Sequence, residues 1–507
     1  MKVTEILKKI PEIKLIKGDG SKDIGYVWAD SRKVSTQDIF VLPQDNQEAL
    51  TSYLQMAKEK GCQVILVSKR HLKLEGLNSF ETILEAEEPL GDIHGKLASL
   101  LSGYPSKKLK IVGITGTNGK TSLTFILFHI ARKLGKKAAL IGTVQIQILD
   151  QILESGYTTP DASSLNLLLK QMVEEGVEYV FMEMSSHGLK LGRVAGLEIT
   201  CAGFTNLTQD HLDFHETMED YFESKYKIFQ LLEASTVKNK FGLVAGDVSY
   251  GDKMIQKIRD SKLKSPIYIL GKSGEFHYSN TKLSLLGSEY RFHKKEKNLP
   301  FIEVRSVRTN LLGNFNVFNT AFALSIAYEL GFPWEEVVAA LESIPTVPGR
   351  FHVVPYPDRS RIAVVDYAHT PDALENILKS CVEIRPKQLI CLFGCGGDRD
   401  RTKRPQMAKI AETHADFVIL TSDNPRTENP DLILDEIEAG FSRGFKRYEK
   451  ITDRRIAIKR AVSLLEKEGI LVVAGKGHET YQIIGKEKTK FVDFEEIEKA
   501  FIQLNTE

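Results

Sequence analysis

Gly113-Ile-Thr-Gly-Thr-Asn-Gly-Lys-Thr121 follows a short apolar run at 110–114 and leads into an amphipathic stretch at 122–134. Strand, glycine-rich turn and helix in that order predict a phosphate-binding loop. Glycines let backbone N–H groups turn toward an anion, and the following helix N-terminus favours negative charge. Lys120 would reach the terminal phosphates, and Thr121 offers a hydroxyl to Mg2+. Gly116, Thr117, Asn118, Gly119, Lys120, Thr121 and Ser122 are therefore the candidate triphosphate contacts. Five residues rather than four separate Gly113 from Gly119, a departure from the usual spacing that narrows the kind of enzyme.

The bulk composition adds exclusions. A chain of 507 residues has room for roughly two to four domains. Hydrophobic residues at 42% and charged residues at 27% are ordinary globular values, so a sizeable core is available. A net charge of +1 gives no reason to expect nucleic acid or an acidic membrane surface as partner. The five cysteines form no paired framework, and Cys391 and Cys395, spaced C-x3-C, lack a second Cys/His pair. They read as reduced thiols of a cytoplasmic protein rather than a zinc site. Residues 1–9 mix charge into their apolar positions, which does not fit a signal peptide, and no run reaches membrane-spanning length.

Outward from the loop, three regions can be drawn. Residues 1–107 alternate a strand-like run (64–67) with a helical one (48–60) and end at Gly103-Tyr-Pro-Ser106. Residues 108–346 continue from the phosphate loop as strand–helix units, with strands at 179–184 and 199–204 and a helix at 163–175 closed by Gly176. Pro345 and Pro348-Gly349 mark a second boundary. Over 347–507 the alternation restarts, with strands at 362–365, 388–393, 417–421 and 470–474 and helices at 371–382, 403–414, 430–442 and 453–466. The fold class is α/β, with mostly parallel sheets covered on both faces.

In such sheets ligands bind beyond the carboxyl ends of the strands. Those ends carry Glu183-Met-Ser-Ser-His187, Thr205-Asn206, Asp366-Tyr-Ala-His369, Gly394-Cys-Gly-Gly-Asp-Arg399, Asp423-Asn-Pro-Arg426 and Gly475-Lys-Gly-His-Glu479. Turn and capping chemistry accounts for some of these side chains, but not for clusters at so many strand ends.

Placed in order, these motifs resemble the Mur ligase family of ATP-dependent amide-forming enzymes. The similarity rests on the phosphate loop with its extra residue, T-T-P at 158–160, E-M-S-S-H at 183–187 and N-L-T-Q-D-H-L-D-F-H at 206–215. It continues through G-N-F-N-V-F-N at 313–319, D-Y-A-H-T-P at 366–371, G-G-D-R-D at 396–400, D-N-P-R at 423–426 and G-K-G-H-E at 475–479. Leu191, Ser122 and the stretch 244–247 depart from the family pattern. The resemblance spans all three regions. It implies a small N-terminal UDP-binding α/β domain, a central P-loop ATPase-like domain and a C-terminal Rossmann-like domain that binds the amino acid. It also implies that ATP phosphorylates a substrate carboxylate and that an amine attacks the resulting acyl phosphate.

Several residue roles follow from the resemblance. Thr121 and Glu183 are candidate Mg2+ ligands, and His211 is implied as a ligand of a second Mg2+. Lys225, in Y-F-E-S-K-Y-K-I-F, matches the family lysine that CO2 carbamylates, giving an oxygen donor for metal. Read alone, a lysine in the helical stretch 217–232 is a solvated surface group, and Lys227 serves as its control. Thr217 and Asp220 resemble a capping box at the start of that stretch. Asn314 and Asn319 fall on the adenine side, while Arg350 and Asp366 match positions meeting phosphate and ribose, with Pro348-Gly349 as a hinge. Ser31 is implied near the uracil end. Thr158, Thr159, Ser185 and Arg193 are implied on the pyrophosphate, muramoyl and dipeptide portions.

The similarity is greatest to the family member that adds the third residue of the peptidoglycan peptide, which implies UDP-MurNAc-L-Ala-D-Glu and meso-diaminopimelate as substrates. Diaminopimelate differs from lysine by a second carboxylate, and Arg426 offers that group a planar, bidentate donor. Asp423, Asn424 and Pro425 lie beside it, and Arg399, Gly475 and Glu479 complete the expected site, with Glu479 on the distal ammonium. A half-made buried carboxylate–arginine pair costs on the order of 3–5 kcal/mol, enough to reject lysine. The competing readings are a lysine-adding or folylpolyglutamate synthetase-like ligase, a P-loop ATPase without ligase activity, and an inactive UDP-sugar-binding homologue. The lack of coiled-coil heptads, together with what the resemblance implies, favours a monomer.

Overall fold

The structure, a computed structural model, describes residues 1–43, 47–295 and 303–506. The chain gathers into two compact units, Met1–His277 with Phe322–Pro333, and Tyr278–Ala321 with Trp334–Glu507.

The first unit holds two sheets. Strands β1 (Ile13–Lys17), β2 (Val27–Trp28), β3 (Ile39–Val41), β4 (Val64–Ser68) and β5 (Thr82–Ala86) are ordered β1-β5-β4-β3-β2. β1 is antiparallel to β5 and the others are parallel. Every residue of β4 is buried, because alternate side chains face two different helices. Ile65 and Val67 pack with Leu50, Leu54 and Ala57 of the helix Gln47–Glu59. Val64 and Leu66 pack with Ile93, Leu97 and Ala98 of the helix Leu90–Leu101.

The second sheet of this unit comprises β6 (Lys110–Thr115), β7 (Ala138–Ile141), β8 (Ile146–Ile148), β9 (Gln151–Leu153), β10 (Tyr179–Glu183), β11 (Cys201–Phe204), β12 (Phe241–Ala245) and β13 (Ile267–Leu270). Its order runs β13-β12-β11-β6-β10-β7-β8-β9, parallel except at the β7–β8–β9 edge. β6 lies between β10 and β11, so the chain order changes direction at β6. The loop after β6 thus emerges at a topological switch point, where open sheets bind ligands.

The second unit contains β14 (Phe276–Ser284, shared with the first unit at its start), β15 (Gly287–Lys294) and β16 (Glu303–Thr309). A six-stranded sheet follows, built from β17 (His352–Pro355), β18 (Ile362–Asp366), β19 (Leu389–Phe393), β20 (Phe417–Leu420), β21 (Tyr448–Lys450) and β22 (Ile470–Ala474) in the order β17-β18-β22-β19-β20-β21. β17 is antiparallel and the rest are parallel. Helices Pro371–Glu383, Lys403–His414 and Pro430–Glu438 cover one face, and Arg454–Leu464 and Asp493–Thr506 the other. A hairpin of β23 (Tyr481–Ile484) and β24 (Glu487–Lys490) completes the unit.

The expected helix over 430–442 ends at Glu438 instead. The chain turns at Gly440, where a side chain would overlap the Pro405 backbone, and Ser442 N–H donates to Glu412 at 3.0 Å. All five cysteines are free and buried. Among the described residues, no helix is long and apolar enough to cross a membrane.

Candidate active site

The loop after β6 is held by the next strand end. Thr117 N–H donates to the Asn206 carbonyl at 2.9 Å, Asn118 N–H donates to Asn206 Oδ1 at 3.0 Å, and Thr205 Oγ1 donates to the Asn118 carbonyl at 2.6 Å. Gly116 has φ +150°, and a Cβ there would overlap the Thr205 hydroxyl, so only glycine fits this turn. Lys120 opens the helix Lys120–Lys133, and its Nζ donates to the carbonyls of Gly116 and Thr117, both at 2.9 Å. Ser122 is buried in the first turn of that helix.

Lys225 is the largest departure from its reading as a solvated cation. It sits in the helix Met218–Ala234, is 1% exposed, and donates to the Gly116 carbonyl at 2.7 Å. Its ammonium lies 4.4 Å from the centre of the Tyr221 ring. Two ammonium groups thus converge on one loop carbonyl, which makes this a point where added negative charge is favoured. Burial first, then the charge of Lys120, pushes the Lys225 pKa well down. Lys227 lies on another face, with Nζ 3.5 Å from the Lys190 carbonyl.

Glu183 ends β10 beside Ile114 of β6 and is fully buried, which rules out a surface role. Thr121 Oγ1 donates to its Oε2 at 3.0 Å, Thr143 N–H to its Oε1 at 2.7 Å and Thr143 Oγ1 to Oε2 at 3.1 Å. A Cβ at Gly142 would overlap this carboxylate. Thr121 and Glu183 therefore present hard oxygens side by side, a donor set that fits Mg2+ completed by phosphate oxygens and water. Thr143 was not anticipated; the signal was the short run A-A-L-I-G-T at 138–143, whose strand end carries it.

Thr158 shares a hydroxyl contact of 3.0 Å with Thr143. Thr159 Oγ1 donates to the Glu183 carbonyl at 3.0 Å and accepts from Ser185 N–H at 3.0 Å, while Ser185 Oγ caps the next helix by accepting from Gly188 N–H at 3.1 Å. Arg193 Nη1 donates to the Thr159 carbonyl at 2.9 Å. These four residues, Glu183 and Thr121 form one continuous polar wall. His211 is half-exposed with φ +52°, and its ring meets His187 edge-on at 5.0 Å and Tyr221 at 6.2 Å. Burial, then the charges of His211 and His215, lowers the His187 pKa to about 4. Thr217 caps its helix by accepting from Asp220 N–H at 3.1 Å. The capping box is only half made, because Asp220 turns its carboxylate to Lys190 at 2.6 Å and His215 at 3.1 Å. Ser31 is buried in the N-terminal region, with Oγ 3.2 Å from the Met56 sulfur.

In the second unit, Asn314 Nδ2 donates to Glu383 at 2.8 Å, and Asn319 is buried 3.4 Å from Asn316 Oδ1. Asp366 accepts from Phe351 N–H at 2.7 Å, and burial raises its pKa. Arg350 lies over the Tyr367 ring at 5.9 Å. Its Nε and His478 Nδ1 are buried without a hydrogen-bond partner among the described residues, as a ligand-binding pair of nitrogens would be.

The ends of β20 and β22 form the other cluster. Asp423, Asn424 and Pro425 are buried, and burial raises the Asp423 pKa. Gly475 has φ +115° and packs its Cα against the Asp423 carboxylate. Arg426 has φ +51°, and its Nη1 donates to the Gly397 carbonyl at 2.9 Å. Its backbone pairs with β23, since Arg426 N–H donates to Ile483 O at 3.2 Å and Gly485 N–H to Arg426 O at 2.7 Å. Glu479 Oε2 accepts from Asn424 Nδ2 at 2.9 Å and from Lys476 Nζ at 3.0 Å. Arg399 is exposed and donates to the Asp398 carbonyl at 3.0 Å. Lys476 was missed as a site residue, although it lies inside the G-K-G-H-E motif.

Family models for the Mur ligase middle domain and the Mur ligase glutamate ligase domain match residues 114–327 and 349–477. A UDP-N-acetylmuramoyl-L-alanyl-D-glutamate–2,6-diaminopimelate ligase of Leptospira borgpetersenii is 50% identical over 99% of both chains. The chain belongs to the Mur ligase family. An equally named protein of Clostridium botulinum is 39% identical over 99% of this Mur ligase and 100% of its own length. A solved diaminopimelate ligase structure superposes with a TM-score of 0.74 at 31% identity, covering 100% of this Mur ligase and 99% of that chain. This Mur ligase is accordingly an ATP-dependent ligase of the three-domain α/β type.

Proposed function

We propose that this chain joins meso-diaminopimelate to UDP-MurNAc-L-Ala-D-Glu at the cost of ATP, releasing ADP and phosphate, in the cytoplasmic assembly of peptidoglycan precursors. The observation that carries this reading is the pair of polar clusters at strand ends. One unit presents Lys120, Lys225, Thr121 and Glu183 around a phosphate loop, and the other presents Arg426, Asn424 and Glu479. Full-length identity to proteins named for this activity supports it.

The steps follow from the groups available. A carboxylate oxygen of the dipeptide attacks the γ-phosphorus of ATP and ADP leaves, which needs positioning and charge neutralisation more than covalent help. Lys120 supplies positive charge to the transferring phosphoryl group. Bound Mg2+, held through Thr121 and Glu183 with His211 on a second ion, would withdraw charge from the phosphate oxygens. The amine of diaminopimelate then attacks the acyl carbon, and phosphate leaves from the tetrahedral intermediate. Lys225 enters this scheme as a carbamate. Its burial and the neighbouring Lys120 favour the neutral amine that CO2 requires. Thr158, Thr159, Ser185 and Arg193 orient the muramoyl dipeptide, Ser31 the uridine, and Asn314, Asn319, Arg350 and Asp366 the adenosine and phosphates. Arg426 pairs with the distal carboxylate. In this reading residues 1–107 hold the uridine nucleotide, 108–346 the ATP and 347–507 the amino acid.

Phosphate release measured across an amino-acid panel tests the reading. Release should require both UDP-MurNAc-L-Ala-D-Glu and meso-diaminopimelate, with lysine a poor replacement. Full-rate release with lysine, or with no amino acid, would overturn it.

A further inference from the structure

Lys476 lies two residues beyond the end of β22, and its side chain is fully buried. Its ammonium donates to Asn424 Oδ1 at 3.1 Å and to Glu479 Oε2 at 3.0 Å. A lysine this deep is uncommon unless paired. This one is paired inside the cluster proposed to bind the amino acid.

The arrangement fixes an orientation. An ammonium has only donors, so Asn424 must turn its oxygen to Lys476. Ile483 N–H donates to the same oxygen at 2.9 Å, so two independent donors set the amide. The Asn424 Nδ2 group is thereby directed to Glu479 Oε2. Both contacts fall on that one oxygen; among the described residues Glu479 Oε1 has no hydrogen-bond partner. Glu479 is thus held by one oxygen with the other left for a ligand ammonium.

The arrangement also sets a charge. The cluster gathers Arg426, Lys476 and the Arg454 beside Asp423 together with Asp423, Glu479 and the Arg454 partner Asp493, three cations against three carboxylates. The distal end of diaminopimelate carries an ammonium and a carboxylate and is neutral overall, whereas lysine ends in a bare ammonium. A balanced pocket accepts the zwitterionic end without surplus charge. The bare ammonium would leave an uncompensated cation beside Lys476, and buried unpaired charge is costly.

We propose that Lys476 is a specificity-determining positioning residue, which orients Asn424 and Glu479 for the distal ammonium and supplies the charge that makes the pocket prefer a zwitterionic to a cationic end. This rests on the diaminopimelate reading. The test compares the full-length wild type with Lys476→Gln and Lys476→Met, measuring kcat/KM for meso-diaminopimelate and for L-lysine by phosphate release. The ratio of the two should fall about tenfold or more in both variants, while KM for ATP stays within about twofold. An unchanged ratio, or an equal loss with both amino acids, would overturn the proposal. Should the variants fail to fold, Glu479→Gln decides. It removes an anion while Lys476 remains, so the ratio should rise, and a fall would overturn the charge argument. A wild type that does not prefer diaminopimelate defeats the functional reading itself. A selective wild type with equally selective Lys476 variants defeats this inference alone.

Discussion

Lys225 shows how much one position depends on what surrounds it. Helical spacing alone separates it from Lys227, but the sequence around both is similar and a lysine on a helix is normally solvated. Burial and the contact with the Gly116 carbonyl come from strands and loops distant in sequence. Lys225→Ala should lower phosphate release about 100-fold or more, the usual cost of removing a preorganised charge from such a site. Added formate or acetate should restore part of it by replacing the carbamate oxygens. Lys227→Ala should stay within about twofold of wild type under the same assay. Equal losses in the two variants would remove the special role of Lys225. Glu183 is legible as a strand-end carboxylate, whereas its Thr143 partner shows in the sequence only as the residue ending the short run A-A-L-I-G-T, with no charged or metal-ligating residue beside it to mark a site.

At the scale of elements, apolar runs and helix caps were readable and charged hairpins were not. The strands β6, β10, β18, β19, β20 and β22 are buried on both faces and stand out as apolar runs. β24 is exposed throughout and reads E-K-T-K, so nothing in its composition marks a strand, yet its partner β23 holds the Arg426 backbone. The helix Leu90–Leu101 supplies a pH prediction. His94 on that helix is buried and 2.6 Å from Ser163 Oγ, which itself donates to the Val27 carbonyl at 2.7 Å. The imidazole must therefore donate through Nε2. Burial lowers its pKa to about 4 from an ordinary 6.5. The folded state then binds fewer protons than the unfolded one between those values, so stability is full above pH 6.5 and is lost as pH falls toward 4. The shift corresponds to about 3 kcal/mol at most. His94→Gln should flatten this part of the stability profile, measured by urea unfolding at pH 7 and pH 4.5; an unchanged slope would show that His94 does not drive it.

Over the whole molecule, the phosphate loop and the amino-acid cluster belong to different compact units. A side chain that contacts only the amino acid should leave nucleotide binding unaltered. Arg426→Lys should reduce kcat/KM for diaminopimelate about 100-fold, because an ammonium cannot reproduce the planar bidentate contact. Nucleotide affinity, followed by equilibrium binding of ADP, should change less than about twofold. A matching loss of ADP affinity would contradict this separation. The sequence by itself determined the α/β class, the order of the motifs and the chemical type of each strand-end cluster, because these depend on local periodicity and on residues adjacent in the chain. Only the tertiary structure decided that Lys225 is buried against the phosphate loop, that Thr143 completes the Glu183 contacts, and that Lys476 joins Asn424 to Glu479. Those are distances between segments as much as 109 residues apart, and they arise from how strands are ordered within sheets, which no local pattern encodes.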